Sequence, residues 1–464
     1  MTPKKSPKEI AQPTLIARNE LFDAGKRLRQ RTSRKSQATY KPLAARPDPV
    51  DILTKSNKGR LPELIPIRHG RMLVSPFTFY RGAAAIMAAD LAHTPSNGIT
   101  LQACGDCHLL NFGGFGTPER RVIFDINDFD ETHPAPWEWD LKRLAASFVI
   151  AGRNNGLSKL ECREATQATV RSYRERMLEL AEMNVLEAWY ASIDAKALIE
   201  TTQDPEMLKM RRKRLKKAIS KTSAEANFPK LVEEKDGRTL FKDDPPFIYH
   251  ADKRKFPDVA RRIHDGFKMY RDSLPHERRV LYDRYSLADS AVKVVGIGSV
   301  GTICLVALFF SKEGDPLILQ IKEARPSVLE PYSGKSKFKN HGQRVVVGQR
   351  IMQAASDIFL GWARSSRGKD FYIRQLNDLK LKPLVEIFNA QHLAEYGGAC
   401  GWALARAHAR SGTAALLSGY MGKSDVLDEA VADFAEAYAD QNERDYGLFK
   451  KAVRAGRIEV MLEQ

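Results

Sequence analysis

The sequence predicts an α+β fold in two parts, a helix-rich larger part and a smaller antiparallel sheet, on three observations. Leu141, Leu144, Ala145, Phe148 and Val149 recur at helical spacing, and the periodicity continues over 170–190. Three segments rich in β-branched and aromatic residues, 292–295, 302–310 and 317–321, follow one another across glycine-bearing turns, as consecutive antiparallel strands do. Helical patterns then return over 393–409 and roughly 427–454. At 464 residues the chain is long enough for more than one packed unit, and its 43% hydrophobic and 28% charged content excludes a disordered chain.

Taken in order, residues 1–66 form a Pro-, Lys- and Arg-rich arm with one short helix expected over 15–29. Residues 67–202 open the larger part. Phe77, Phe79 and Tyr80 lead into a helix of small residues over 82–92, strands are expected at 99–104 and 121–125, and 138–200 is helical. The interval 203–290 is polar and broken at Pro245-Pro246, which marks an insertion with short helices of its own. Residues 291–385 hold the three strands, a helix over 343–363 and a strand over 371–376. Residues 386–464 are helices returning to the larger part. No repeat of fixed period is present.

The formal charge is +17, and residues 1–71 alone carry 17 Lys/Arg against 6 Asp/Glu. A second basic run comprises Lys209, Arg211, Arg212, Lys213, Arg214, Lys216, Lys217 and Lys221. Such blocks attract phosphate-rich partners, so nucleic acid is a possible partner of the arm; the plainer reading is a solvated tail and helix face. Cys104, Cys107, Cys162, Cys304 and Cys400 are odd in number and scattered, which argues against a disulfide framework and for a cytoplasmic protein. No apolar stretch follows the charged N-terminus as in a secretory signal. The longest uncharged run, 294–310, holds three glycines and is too short to span a membrane.

The chemistry concentrates in Cys104-Gly105-Asp106-Cys107-His108-Leu109-Leu110-Asn111, followed seventeen residues after Asn111 by Asp128-Phe129-Asp130. An Asp and an Asn five apart on a loop, then an Asp ending a short apolar strand, place a base and two oxygen ligands for Mg²⁺ around one phosphate. Asp106 is the candidate base, Asn111 and Asp128 the candidate ligands, Asp125 a rival ligand, and His108 braces the loop. An Asx-rich turn capping its own backbone is the alternative. Gly296, Gly298, Ser299 and Gly301 form a glycine-rich connection between two strands, and Lys322 lies twenty-one residues beyond Gly301 on the third. The backbone there can cover nucleotide phosphates, with Lys322 reaching them. A dinucleotide fold would need a helix directly after the glycines. The Cys104-x-x-Cys107-His108 spacing matches c-type haem attachment, which the absence of an export signal opposes. A zinc site lacks its second ligand pair, and the acidic turn lacks the glycine of a calcium hand.

Arg68-His-Gly-Arg-Met72, Ser75-Pro-Phe-Thr-Phe-Tyr-Arg-Gly82, Gly105–Gly114, Phe124–Glu131 and Trp139-Asp-Leu-Lys-Arg-Leu-Ala145 together resemble the bacterial family catalogued as domain of unknown function 2252, over most of residues 60–455. More distantly, the same segments are similar to aminoglycoside and choline phosphotransferases of the protein-kinase-like superfamily. There a Gly-Asp-x-His-x-x-Asn loop precedes an Asp-Phe-Asp turn and, twelve residues after its first Asp, an Asp-Leu-Ala helix start. Asp128 to Asp140 is twelve residues here, which favours Asp128 over Asp125. This resemblance implies a two-lobed protein-kinase-like fold that uses ATP and Mg²⁺. It implies Asp106 as base, Asn111 and Asp128 on the metal, and Lys322 on phosphate.

The order of motifs differs from that family's. The glycine loop and Lys322 come after the Asp106 loop, and 401–408, which looks like the helix that leads into that loop, lies near the end of the chain. Read cyclically the order is restored, so a circular permutation is expected. Residues 331–383 contain no Glu to hold Lys322, leaving Glu323, Glu330, Gln343, Gln349 and Gln353 as candidates. The reading is a phosphotransferase with an unidentified acceptor, Arg68, Arg71 and Arg81 being candidates to bind it if it is anionic. The alternatives are a nucleotide-binding module without turnover, a basic nucleic-acid-associated protein, and metal-dependent hydrolysis.

Overall fold

The computed structural model describes residues 16–220, 228, 230–250, 259–294, 296–376 and 379–462. Residues 1–15 of the basic arm, Lys221 of the second basic run and Val295 of an expected strand lie outside the described residues.

The larger part is a body of long helices, Trp137–Asn154, Lys159–Glu182, Ala390–Ala409 and Val426–Arg454. Ser158 and Glu161 close a capping box that starts the second of these, and Asn389 caps the third through His392 N. The second and third helices touch backbone to backbone because Gly397 and Gly401 face Thr169. A Cβ at Gly401 would sit 2.2 Å from the Thr169 carbonyl oxygen. Trp137 and Tyr173 stack within the core at 5.9 Å.

Against this body lie β1 (Thr100–Ala103), β2 (Phe112–Gly116), β3 (Val122–Ile126), β4 (His133–Pro136) and β5 (Ile193–Asp194). Among the described residues β1 pairs only with β4. The sequence did not mark β4, whose two prolines disfavour a strand except at an edge. Further on come β6 (Val232–Lys235), β7 (Arg238–Phe241), β8 (Ile248–Tyr249), β9 (Tyr285–Lys293), β10 (Cys304–Ser311), β11 (Pro316–Ala324), β12 (Gly361–Arg364), β13 (Asp370–Gln375) and β14 (Lys380–Leu381). The smaller sheet is antiparallel with order β12-β13-β11-β10-β9-β8, and a second sheet runs β14-β2-β3-β5. The helix Val259–Ser273 covers one face of the smaller sheet, with Phe267, Tyr270 and Phe309 in one apolar cluster.

Several expectations are corrected. The strand expected at 292–295 begins at Tyr285, inside the supposed insertion, because Tyr285 to Lys293 pairs along β10 through a bulge at Leu308/Phe309. The helix expected over 343–363 is His341–Met352. Its pattern continues apolar, but Trp362 and Ala363 pair with β13. The helix expected to run to Tyr190 breaks at Met183, where Asn184 caps the separate helix Val185–Tyr190.

The described part of the arm is folded onto the body, and Arg29, Arg34 and Arg46 are spent inside the molecule. Arg29 and Arg34 donate to the carbonyls of Gly419, Tyr420 and Met421, the unsatisfied C-terminal groups of the helix Ala414–Met421. Arg46 bridges Asp90 and Asp445 at 2.7 and 2.6 Å. The basic helix Pro205–Ile219 is likewise partly committed, Arg211 to Glu395 at 3.3 Å and Arg214 to the Lys382 carbonyl at 2.7 Å.

Candidate active site

β1 delivers the chain into the Asp106 loop, and a sharp turn follows. Gly105 has φ +85°, and a Cβ there would lie 2.4 Å from the Glu131 carbonyl oxygen, so only glycine fits. The loop hangs from Asp140, whose carboxylate accepts from Cys104 N at 2.6 Å and Gly105 N at 2.9 Å. Asp140 is fixed in turn by His408 Nε2 at 3.2 Å, with His408 Nδ1 2.9 Å from the Tyr173 hydroxyl. Both contacts are satisfied when Tyr173 donates to Nδ1 and Nε2 carries the proton to Asp140. The helix ending near His408 therefore does meet the Asp106 loop. Gln102 N donates to Ser411 Oγ at 3.1 Å across 309 residues of sequence.

Within the loop, Asp106 Oδ1 accepts from Arg143 Nε at 2.8 Å and also from Nη2. Burial lowers the affinity of the Arg143 guanidinium for its proton, but Asp106 overcomes this and holds it well above the ordinary value. Arg143 lies over the Tyr80 ring at 4.5 Å. Asp106 Oδ2 has no protein donor among the described residues, and the side chain is 19% exposed. Asn111 Nδ2 donates to the Asp106 carbonyl at 2.7 Å, which leaves its Oδ1 for another partner. His108 is buried, its Nδ1 has no protein partner, and burial, with Arg81 and Arg143, keeps the ring well below the usual histidine range.

The two rival carboxylates separate cleanly. Asp125 is fully enclosed: Oδ1 meets Arg406 Nη2 at 2.6 Å and Ile126 N at 2.9 Å, and Oδ2 meets Ala354 N at 2.9 Å. Asp128 keeps 39% of its side chain exposed, 4.0 Å from Lys322 Nζ. Burial of the cluster and the charge of Asp130 push its carboxyl up, against Lys322 and Arg374.

Asp130, to which the sequence assigns neither the base nor a ligand role, is the centre of the cluster. It accepts from Lys322 Nζ at 2.7 Å, from Ser299 Oγ at 2.8 Å and from the Tyr372 hydroxyl. Burial alone would raise its carboxyl, yet Lys322 with these hydrogen bonds holds it at about 2. Lys322 is pushed down by burial and up, by a larger margin, by Asp128 and Asp130. Four of the five candidates for holding Lys322 are occupied elsewhere: Glu323 by Lys369 and Ile303 N, Glu330 beside His341 and Arg344, Gln353 by the Ile126 carbonyl, and Gln349 by Gln353. From the helix His341–Met352 it is Arg344 that reaches the turn, donating to the Asp130 and Thr132 carbonyls.

Gly296, Gly298, Ser299 and Gly301 lie on a short turn between β9 and β10, and Ser299 brings it down onto Asp130. The arm holds the turn from above. Arg60 donates to the Gly298 and Val300 carbonyls at 3.0 and 2.6 Å, and Leu61 N to the Gly301 carbonyl at 2.7 Å. Near the acidic turn Arg374, then burial, pushes Lys380 down to about 7. Sequence reasoning missed Asp130, Tyr372, Arg143, Arg60 and Lys380. Asp130 alone carried a signal, its place in the Asp128-Phe129-Asp130 turn.

Among the described residues no three His, Cys, Asp or Glu side chains converge as a self-sufficient metal cage. A cleft of about 120 Å³ lies elsewhere, between β2, β14 and the helix Pro205–Ile219, lined by Phe124, Met207, Met210, Leu381 and Tyr396. None of Asp106, Asn111, Asp128 or Lys322 lines it, so the candidate site is the charged cluster.

The fold and site define an α+β protein in which an acidic turn from the larger part meets a lysine and a glycine-rich turn from an antiparallel sheet. The chain belongs to the family described as "Uncharacterized protein conserved in bacteria (DUF2252)", matched over residues 60–452. No curated protein and no solved structure matches it. No helix among the described residues is long and apolar enough to cross a membrane.

Proposed function

We propose that this protein is an ATP- and Mg²⁺-dependent phosphotransferase of protein-kinase-like type, with its motifs circularly permuted. The observation that carries the reading is the meeting of Lys322 with Asp130 at 2.7 Å and Asp128 at 4.0 Å, two segments 192 residues apart for the first pair. Kinase-type sites need that meeting: a glycine-rich turn between the first two strands, a lysine on the third, and an acidic turn after the catalytic loop. β9, β10 and β11 with Lys322 supply the first two of these in order. The bond between Gln102 and Ser411 supports the permutation, because in the restored order the helix Ala390–Ala409 leads into β1.

In this reading Asp106 Oδ2 takes the proton of an acceptor hydroxyl while Arg143 fixes the carboxylate through Oδ1. Lys322 meets phosphate oxygens, and the backbone of 296–301 lies over them. Mg²⁺ would be held by Asn111 Oδ1 and Asp128, one amide and one carboxylate with phosphate and water completing the shell, and supplies charge neutralisation at the phosphates. Asp125 is not part of that set, since Arg406 already neutralises it. His108 supports the loop from a buried, neutral state.

The test is the thermal shift of the purified protein with ATP and Mg²⁺, beside Lys322→Ala and Asp128→Ala. A ligand at about a hundred times its Kd adds about 2.7 kcal/mol. A metal-dependent shift lost in both variants is expected; no shift in the native protein would sink the reading. A nucleotide-binding module without turnover is the second reading, and one observation favours it: among the described residues no helix Glu pairs with Lys322, which rests on Asp130. ATP binding without ATP consumption would select it. The nucleic-acid reading is weakened by Arg29, Arg34, Arg46 and Arg60 of the arm, which are bonded within the molecule.

A further inference from the structure

We infer that the acceptor is an anionic small molecule and that Arg81, with His108, receives its charged group beside Asp106; this rests on the phosphotransferase reading. Of the arginines upstream of the loop, the structure separates Arg81 from Arg68. Arg68 is buried and spends its guanidinium on Asn57 Oδ1 at 2.9 Å and the Gly82 carbonyl at 2.8 Å. Arg81 is half-buried at the end of the helix Pro76–Gly82, and its Nε is buried with no protein partner. It makes no hydrogen bond or ion pair with the described residues, although Asp106, Glu386 and Arg71 all act on it through space.

The position follows from its neighbour. Tyr80 stacks on Arg143, its carbonyl accepts from Arg143 Nη2 at 3.2 Å, and its hydroxyl donates to the Arg143 carbonyl at 2.7 Å. Arg143 in turn holds Asp106, so Arg81 follows directly on the residue that braces the base. The charge of Asp106 is already matched by Arg143, and Glu386 is exposed to solvent. Arg81 is therefore a cation without a contact counterion. His108, buried at 4% exposure with a free Nδ1, is a second unsatisfied polar group that responds to both Arg81 and Arg143. Two unsatisfied groups of this kind beside a candidate base are what an oxyanion on the acceptor would complete. A carboxylate and a phosphate share this chemistry. Transfer would then join the acceptor's hydroxyl oxygen to the γ-phosphorus as the bond to the β-phosphate oxygen breaks, ADP leaving and the proton passing to Asp106.

Inorganic phosphate and acetate, each compared with chloride at equal ionic strength, are the probes, read by thermal shift on the native chain, Arg81→Gln, Arg81→Lys and Asp128→Asn. A rise of about 2–3 °C at a hundred times Kd is expected with one of the two anions. It should vanish in Arg81→Gln, weaken in Arg81→Lys and persist in Asp128→Asn; which anion acts distinguishes phosphorylated from carboxylated acceptors. A shift retained in Arg81→Gln, one lost in Asp128→Asn, or none in the native chain overturns the assignment. An Arg81-dependent shift with no response to ATP and Mg²⁺ would keep the anion site and remove the transferase reading.

Discussion

Asp125 and Asp128 are three residues apart on one acidic turn, and replacing each by Asn should have opposite consequences. Asp125 and Arg406 have side chains 0% and 1% exposed and meet at 2.6 Å. Asp125→Asn leaves the Arg406 cation buried without a counterion, with Nε and Nη1 already lacking partners. Removing one member of such a pair costs about 3–5 kcal/mol. Unfolding entropy of about 2 cal/mol/K per residue amounts to about 1 kcal/mol/K for 464 residues, so the melting temperature should fall by about 3–5 °C. Asp128→Asn removes a half-exposed carboxylate from beside Asp130 and leaves Lys322 paired at 2.7 Å. Its melting temperature should stay within about 1 °C, while the shift with ATP and Mg²⁺ is lost. Differential scanning calorimetry of the two variants, with and without nucleotide, decides it. Equal destabilisation would refute the division into a structural and a functional carboxylate, and an unchanged melt for Asp125→Asn would refute the cost assigned to Arg406.

Three further outcomes are expected. Burial pushes Glu138 up to about 7 and Lys142 down to about 8, on adjacent turns of one helix, with Glu138 accepting from Asn97 N at 2.9 Å. The raised Glu138 contributes stability that is full below about pH 4.5 and lost as pH rises through 7. The lowered Lys142 makes stability climb from about pH 8 to 10.5, where the unfolded chain holds the extra proton. Each limb is worth up to ~3 kcal/mol, so urea midpoints against pH should lose the first limb in Glu138→Gln and the second in Lys142→Met; limbs unchanged in those variants would show that the groups titrate normally. Gly105→Ala must hold alanine at φ +85° against the Glu131 carbonyl, costing at least ~2 kcal/mol in chemical denaturation, and a neutral result would mean that the loop relaxes freely. Arg60→Ala removes two bonds to the 298–300 carbonyls, so amide exchange over 296–301 should speed up with exchange elsewhere unchanged; protection retained there would show that Ser299 and Leu61 N suffice to hold the turn.

The parts of the molecule legible in the sequence are those written in local signals. The helical periodicity of 141–149, the glycine-bearing turns around β10 and the spacing of Asp106, Asn111 and Asp128 each depend on neighbours within about twenty residues. What was missed depends on partners far away. The arm looks like a solvated basic tail because Arg29, Arg34 and Arg46 find carbonyls and a carboxylate some 390 residues later. β4 pairs with β1 despite its prolines, and β9 starts early because β10 extends to Ser311. The choice of Asp125 for Arg406 and of Asp130 for Lys322 was invisible for the same reason.

The missing glutamate has a physical answer in that last pairing. A buried lysine needs a counter-charge whatever element supplies it, because an isolated ammonium in a low-dielectric site gives up its proton. The helix His341–Met352 offers none, and instead sends Arg344 to the carbonyls of the acidic turn. The turn is thereby drawn towards the sheet, and its own second carboxylate becomes the lysine's partner. Such an arrangement ties together what a helix glutamate would keep separate. Lys322 and Ser299 of the glycine turn meet the same carboxylate oxygen of Asp130, so the acidic turn fixes the lysine and the glycine turn at one point. The Tyr372 hydroxyl on the other oxygen of Asp130 and the Arg60 bonds to the glycine turn reinforce that arrangement.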